Sequence, residues 1–108
     1  MTGYLLVETQ GRWSGPGAAR FAGDAARLAA AGHQVVLYLV QDGVDLAIGD
    51  LPPSLASPVG AGVEVWADEF SVAQRAVVTA DLAPGVTAVS LAKVVDLLLQ
   101  SGLRAVWH

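Results

Sequence analysis

The chain has 108 residues, 54% of them hydrophobic and 15% charged, with a net charge of −4 and no cysteine. This length predicts a single domain over residues 1–108 with one core. No apolar run approaches the ~20 residues of a membrane span, and six Lys and Arg against ten Asp and Glu argue against a nucleic-acid-binding face. The absence of cysteine excludes disulfides, thiolate metal sites and a thiol nucleophile on this chain.

The first residues do not form a positively charged segment followed by an apolar one, so we expect no secretory signal. Together with the absence of cysteine, this favours a cytoplasmic protein that binds neither a membrane nor a nucleic acid. The high apolar content predicts a protein that is not a monomer, because a small domain buries a low fraction of its surface.

The first half of the chain predicts a βαβ unit. Tyr4–Val7 and Val35–Val40 are apolar without alternation, which is typical of strands buried on both faces of a parallel sheet. A helix is predicted between them, because Pro16 suits a first helical turn and Gly32 suits a helix end. We therefore expect the two strands to be adjacent and parallel, with a right-handed crossover.

The second half predicts three more strands, which we expect at Gly62–Ala67, Val86–Val89 and Leu103–Trp107. Val44–Ile48 is expected to form a short helix, and the proline-rich stretch Leu51–Gly62 a partly ordered loop. The whole pattern predicts a three-layer α/β/α sandwich with a mostly parallel sheet of about five strands.

Two further helices are predicted from capping and periodicity. Asp68 suits an N-cap, and the inward residues of the helix that follows would be Phe70, Ala73 and Val77. The last helix shows the clearest amphipathic spacing, carried by Leu91, Val94, Val95, Leu98 and Leu99.

Short motifs follow three of the predicted strands. They are Gln41-Asp42-Gly43-Val44, then Asp68-Glu69 with Arg75, and finally the Trp107 that closes the last strand. In this order they resemble the DsrE/DsrF/DsrH-like proteins, which include the TusB, TusC and TusD subunits of the bacterial sulfur relay. The resemblance covers nearly the whole chain; the later half is closer to the DsrH/TusB branch and the first half to DsrE. It implies the sandwich fold and assembly into dimers, trimers or hexamers.

The same resemblance implies a position for sulfur chemistry. Members with chemistry carry a persulfide on a cysteine just after the third strand, and the matching position here lies around Ala67 or Asp68. A persulfide needs a thiolate sulfur, which this chain lacks. The resemblance therefore implies the fold, a tendency to assemble and the rim of a site, without sulfur transfer by this chain alone.

The carboxyl ends of the strands predict a candidate ligand pocket, because ligands of open α/β sheets bind at that edge. Its rim would be formed by residues of the strand exits and of the glycine-rich loop 11–17, namely Trp13, Ser14, Gly15, Asp42, Gly43, Asp68 and Glu69. The loop precedes a helix and could offer N–H groups to an anion. It lacks the ending of a P-loop and the spacing of a dinucleotide-binding loop, so an ordinary strand–helix connection is the favoured interpretation.

Four carboxylates are expected at this edge, from Glu8, Asp42, Asp68 and Glu69. Such groups can hold Mg²⁺ or share a proton. The favoured alternative is that Asp42 turns the chain and Asp68 caps a helix. We therefore expect no metal, no cofactor and no catalytic residue.

The histidines and tryptophans are assigned from their positions. His33 is expected at the amino edge as a solvated turn residue, and His108, the last residue, is expected to be mobile. Trp66 could lie in the core or at an interface, and partner contact is favoured. Trp107 is a second residue that we expect to contribute exposed apolar surface.

Two functions of different classes fit these patterns. The first is a non-catalytic DsrE/DsrF/DsrH-like subunit, connected with sulfur relay or intracellular sulfur metabolism, which assembles with itself or with cysteine-bearing relatives. The second is a small-molecule or anion-binding protein, with or without enzymatic activity, that uses the loops at the carboxyl edge. The missing cysteine favours the first.

Overall fold

Five parallel strands form the centre of the computed structural model, which describes residues 3–108. The strands are β1 (Gly3–Glu8), β2 (Gln34–Leu39), β3 (Glu64–Asp68), β4 (Val86–Val89) and β5 (Leu103–Trp107). Their order across the sheet is β4-β3-β2-β1-β5, and every neighbouring pair is parallel. The predicted pairing of the first two strands is confirmed, since Tyr4 lies opposite Val35.

The helices within residues 3–108 are α1 (Gly17–Ala30), α2 (Pro53–Gly60), α3 (Glu69–Gln74) and α4 (Leu91–Leu98). Short 3-10 helices lie at Arg12–Ser14, Gln41–Ala47 and Thr79–Asp81, and the second of these confirms the short helix predicted there. None of the helices in this part of the chain has the length and apolar character needed to cross a membrane.

The two faces of the sheet are covered unequally. Helices α1 and α2 and the 3-10 helix Gln41–Ala47 pack on one face, where Leu6 and Leu37 are almost fully buried. On the other face Trp66 packs with Val94 of α4, a helix of only eight residues. We call these the α1 face and the α4 face. The α/β/α sandwich is confirmed, and its layer on the α4 face is thin.

The stretch predicted as a loop contains a helix. Helix α2 begins at Pro53, where the missing N–H of proline costs no hydrogen bond, and Leu55 is fully buried against the α1 face. Pro58 lies inside the helix, and its carbonyl accepts the N–H of Val63 at the exit. The prediction of a partly ordered loop over Leu51–Gly62 was therefore wrong.

The inward residues of α3 and α4 also differ from the prediction. Helix α3 buries Ser71 and Val72, while two of the residues predicted to face inward, Phe70 and Ala73, are exposed. In α4 only Val94 of the predicted stripe is buried. The other four members of that stripe are exposed, namely Leu91, Val95, Leu98 and Leu99. The spacing identified an apolar helix but not the side that contacts the sheet.

The two tryptophans take different positions. Trp66 is 7% exposed and belongs to the core of the α4 face, which corrects the preference for partner contact. Trp107 is 71% exposed. It lies opposite Val7 in the β1–β5 register, and Val7 is part of the same core, so Trp107 also lies on the α4 face.

Candidate functional site at the carboxyl edge

The exits of β1 and β2 approach each other closely at the carboxyl edge. The Val40 N–H donates to the Glu8 carbonyl at 3.0 Å, and a Cβ added to Gly43 would overlap that carbonyl. A Cβ at Gly11 would lie 2.8 Å from the Asp42 carbonyl. Glycine is therefore required at both positions, and the Asp-Gly motif reflects backbone packing between the two strand exits.

Asp68, at the end of β3, is enclosed by donors. One carboxylate oxygen accepts the Ser71 N–H at 3.0 Å and the Ser71 hydroxyl at 2.7 Å, and the other accepts the Tyr38 hydroxyl at 2.8 Å. The Ser71 hydroxyl in turn accepts the N–H of Gln41 at 2.9 Å. The predicted N-cap is confirmed, and the carboxylate is only 7% exposed.

This network has electrostatic and conformational consequences. Burial, and then the hydrogen bond to Asp68, raises the pKa of Tyr38 well above its usual range, so the phenol remains a donor. Gln41 has a φ of 55°, a strained value for a residue with a side chain, and its N–H bond to Ser71 helps to hold it there. The position around Ala67 and Asp68, which the resemblance had matched to a sulfur-bearing cysteine, is thus occupied by a closed hydrogen-bond network.

Asp42 belongs to a separate neighbourhood. Its carboxylate accepts a hydrogen bond from the Arg75 guanidinium at 2.7 Å, and Arg75 also donates to the Ser71 carbonyl at 3.3 Å. The Asp42 side chain is 67% exposed, so this ion pair adds at most ~1 kcal/mol to stability. Glu69 is exposed in the first turn of α3, where it suits the helix dipole.

The loop after β1 lies against the 3-10 helix that follows β2. The Arg12 guanidinium donates to the Asp45 carbonyl at 2.8 Å. A shallow cavity of about 270 Å³ is lined by Arg12, Trp13, Asp45 and Ile48. Trp13 is 87% exposed, and Ser14 and Gly15 are also exposed. The seven predicted rim residues thus lie in separate neighbourhoods of this edge rather than around one deep pocket. No group of three His, Asp or Glu side chains within residues 3–108 is placed to hold a metal ion.

His108 is the residue of this edge that sequence reasoning missed. Its Nδ1 lies 2.9 and 2.7 Å from the two carboxylate oxygens of Glu8, which is almost fully buried. Its N–H donates to the Val7 carbonyl at 2.9 Å, and its carbonyl accepts the Thr9 hydroxyl at 2.8 Å. The expectation that His108 is mobile was therefore wrong, because β5 delivers it to the end of β1.

The environment of Glu8 changes its titration. Burial raises the pKa of the Glu8 carboxyl above its usual value, while the hydrogen bond and charge of His108 act in the opposite direction. The backbone N–H groups of Gln10 and Thr9 also lower it. Glu8 was expected at this edge, but no local pattern marks its partner, which is 100 residues away.

A cavity larger than the one beside Trp13 lies at the amino edge on the α4 face. It has a volume of about 580 Å³, and Trp66 and Lys93 contribute to its lining. The Lys93 ammonium lies 5.0 Å from the centre of the Trp66 ring. His33 is at this amino edge, as predicted. Its ring meets the Tyr4 ring edge-on, with the ring centres 5.2 Å apart.

Comparisons with known proteins identify the fold but no sequence family. No family model and no curated protein matches the sequence. The structure is similar to that of the ychN protein from E. coli, with a TM-score of 0.86, and to MTH1491 from Methanobacterium thermoautotrophicum, described as a protein of unknown function, with a TM-score of 0.83. In both comparisons the identity is 16% and all of each chain is covered. Both neighbours have the DsrE/TusB-like fold, so the predicted fold class is confirmed.

Proposed function

We propose that this chain is a cysteine-free, DsrE-like subunit of a cytoplasmic protein assembly connected with sulfur relay or intracellular sulfur metabolism. It carries no sulfur itself and assembles with other copies or with cysteine-bearing relatives. One observation supports assembly above all others, which is the apolar surface left exposed on the thin α4 face. The connection with sulfur rests on the motifs that follow the strands.

The apolar surface consists of five large side chains on the α4 face. They are Leu91, Val95, Leu98, Leu99 and Trp107, between 43% and 79% exposed. Scattered exposed apolar residues are normal, but these residues lie on α4, at its C-cap and on an edge strand of the same face. Large apolar patches of this kind mark protein–protein contact sites. We call these five residues the α4 surface.

The region around Asp68 supports a role without persulfide chemistry. Three hydrogen bonds from Tyr38 and Ser71 occupy the carboxylate, and its exposure is low. Buried polar groups that are fully paired stabilise one conformation. The alternative function, ligand binding among the predicted rim residues, has less support because the cavity beside Trp13 is shallow and Trp13 itself is exposed.

Light scattering tests the assembly. We expect the purified chain to have a mass of two or more chains at micromolar concentration, and we expect Leu99→Glu to lower it by placing a charge on the α4 surface. Val78→Glu is the matched control, because Val78 is also exposed, at 59%, but precedes the 3-10 helix Thr79–Asp81. A monomeric mass for the unmodified chain would remove the proposed assembly.

Affinity purification from the native host tests the sulfur connection. The proposal predicts that the tagged chain recovers a cysteine-bearing protein of the same fold and that Leu99→Glu reduces this recovery. Recovery of the chain only with itself would leave a homo-oligomer and remove the sulfur relay from the proposal.

A further inference from the structure

Glu8 and His108 form a carboxylate–imidazole pair on the α1 face of the carboxyl edge. Both oxygens of Glu8 lie within hydrogen-bond distance of Nδ1, and the Glu8 side chain is 1% exposed. An ionised carboxylate only accepts hydrogen bonds, so Nδ1 carries the proton and donates it. In the neutral imidazole the free lone pair is then on Nε2.

The imidazole ring is fixed by its surroundings. It stacks on Phe21 with the ring centres 5.1 Å apart and the planes inclined by 21°. Three hydrogen bonds join the His108 backbone to Val7 and Thr9 and hold the residue along β1. The His108 side chain nevertheless remains 32% exposed, and none of the hydrogen bonds within residues 3–108 involves Nε2.

Gly17, the first residue of α1, provides the space that the ring occupies. A Cβ at this position would lie 2.9 Å from Cε1 of His108 and 3.1 Å from Nε2. The arrangement therefore combines a buried carboxylate, a ring of fixed orientation and a basic nitrogen that no protein group engages. These are the elements of an activated imidazole, in which the carboxylate orients the ring and stabilises positive charge on it.

We propose that His108, positioned by Glu8, is a nucleophile toward the acyl group of small activated esters. Nε2 attacks the carbonyl carbon, the carbon–oxygen bond to the leaving group breaks, and the alcoholate or phenolate departs with the electron pair. The acylated ring is positively charged, and Glu8 stabilises it through Nδ1–H. Water then attacks the acyl carbon and the bond from that carbon to Nε2 breaks, its electron pair returning to the ring. One proton of the water stays on the carboxylic acid and the other passes through the solvent to the departed alcoholate or phenolate, which leaves the imidazole neutral.

This chemistry fits the pair better than metal or anion binding. Within residues 3–108 the pair is not part of a cluster of three metal-ligating side chains. A neutral nitrogen that presents a lone pair does not attract an anion. The His108 side chain is 32% exposed, which gives solvent and small molecules access to the residue. The inference is independent of the proposed assembly, since both residues lie on the α1 face and the α4 surface lies on the other.

Release of p-nitrophenol from p-nitrophenyl acetate by the full chain tests the proposal. We expect His108→Gln to lower the rate by at least about tenfold, which is less than the ~100-fold or more that a positioned acid–base group typically contributes, and His33→Gln to change it by less than about twofold. His33 is a matched control because it is the only other histidine and none of the ion pairs among residues 3–108 involves it. Equal losses in the two variants would show unspecific imidazole reactivity and overturn the proposal.

The role of Glu8 is tested by Glu8→Gln, which removes the negative charge and keeps the shape. We expect kcat to fall with little change in KM, because Glu8 acts through the ring and does not touch the ester. Nitrogen-15 NMR of the imidazole should show the Nδ1–H tautomer in the unmodified chain and a loss of that preference in the variant. Circular dichroism shows whether each substituted chain folds. If one does not, the NMR spectrum of the unmodified chain still tests the tautomer of His108, because a proton on Nε2 at neutral pH would overturn the assignment.

Discussion

The ionisation of Glu8 links the stability of the protein to pH. Because burial raises its pKa, the folded chain holds this proton more tightly than the unfolded chain does. The stabilisation that results is present below the unfolded-state pKa, near 4.5, and is lost as the pH rises through the folded-state value. The contribution of Glu8 to stability therefore changes with pH in the direction opposite to that of an exposed, salt-bridged carboxylate.

Glu8→Gln should remove this dependence, because the amide is neutral at every pH. We expect the free energy of unfolding of the unmodified chain, minus that of Glu8→Gln, to decrease as the pH rises above 4.5. Urea unfolding at a series of pH values measures this difference. A difference that increases with pH would mean that the ion pair with His108 outweighs the cost of burying the charge.

Gly17 and Gly23 of α1 offer a matched comparison of close packing. Alanine is favoured over glycine within a helix by ~0.5–1 kcal/mol. At Gly23 a Cβ would meet only the flexible Arg27 guanidinium at 3.6 Å, so Gly23→Ala should stabilise the protein. At Gly17 it would displace the His108 ring, so Gly17→Ala should lack this gain and weaken the Glu8 contact. Equal stabilisation of both variants in urea unfolding would show that the ring is not held in place.

Local sequence signals predict residues whose partners are near in the chain. Asp68 was identified as a cap because its partner, Ser71, lies three residues away in the first turn of the helix. His108 was missed because Glu8 becomes its neighbour only through the β1–β5 pairing, in which Val7 lies opposite Trp107. That register is determined by the packing of the whole sheet, and a strand sequence alone does not contain it.

At the level of secondary-structure elements, two N-caps should differ in strength. Asp68→Ala removes the cap of α3 and also leaves the buried Tyr38 hydroxyl without its acceptor, so we expect a loss of ~2–4 kcal/mol. Ser90 caps α4 through a longer bond of 3.4 Å to the N–H of Lys93 at an exposed site, and Ser90→Ala should cost ~0.5–1 kcal/mol. Thermal unfolding of both variants measures the difference. Losses of equal size would show that the Tyr38 bond adds nothing to the cap.

The existence of most elements was predictable, but the contacts of the short helices were not. β2 was recognised because its two buried faces require an unbroken apolar run. Helix α2 was missed because its prolines suggested a loop. A proline in the first turn of a helix, such as Pro53, is compatible with helical structure. In α4 the periodicity is genuine, but it does not distinguish the residue that packs on the sheet from the residues that stay exposed.

At the scale of the whole molecule, the unequal cover of the sheet is the main departure from a symmetrical sandwich. The α1 face is closed by α1, α2, the 3-10 helix Gln41–Ala47 and Val72 of α3, whereas α4 is the helix that packs on the other cluster. The composition predicted exposed apolar side chains but could not locate them. The structure places five of them on the α4 surface, with Trp107 on β5, while Trp66 lies in the core of the same face.

Substitutions of these two tryptophans distinguish effects on folding from effects on association. Trp66→Ala removes a core side chain and should cost ~3–5 kcal/mol, enough to unfold much of the protein. Trp107→Ala should leave the fold of the single chain nearly unchanged, because its side chain is largely exposed there. If Trp107 is an anchor of the interface, its loss should weaken association by ~2 kcal/mol, about 30-fold in Kd.

The midpoint of urea unfolding, measured over a range of protein concentrations, distinguishes these effects. An assembly that holds the folded chain gives a midpoint that rises with concentration, and a monomer gives a constant one. We expect the unmodified chain to show the rise and Trp107→Ala to lose most of it while keeping its native circular dichroism, because only the contact on the α4 surface is removed. Trp66→Ala should instead lower the midpoint at every concentration. A midpoint that rises equally in Trp107→Ala and in the unmodified chain would place the interface elsewhere on the protein.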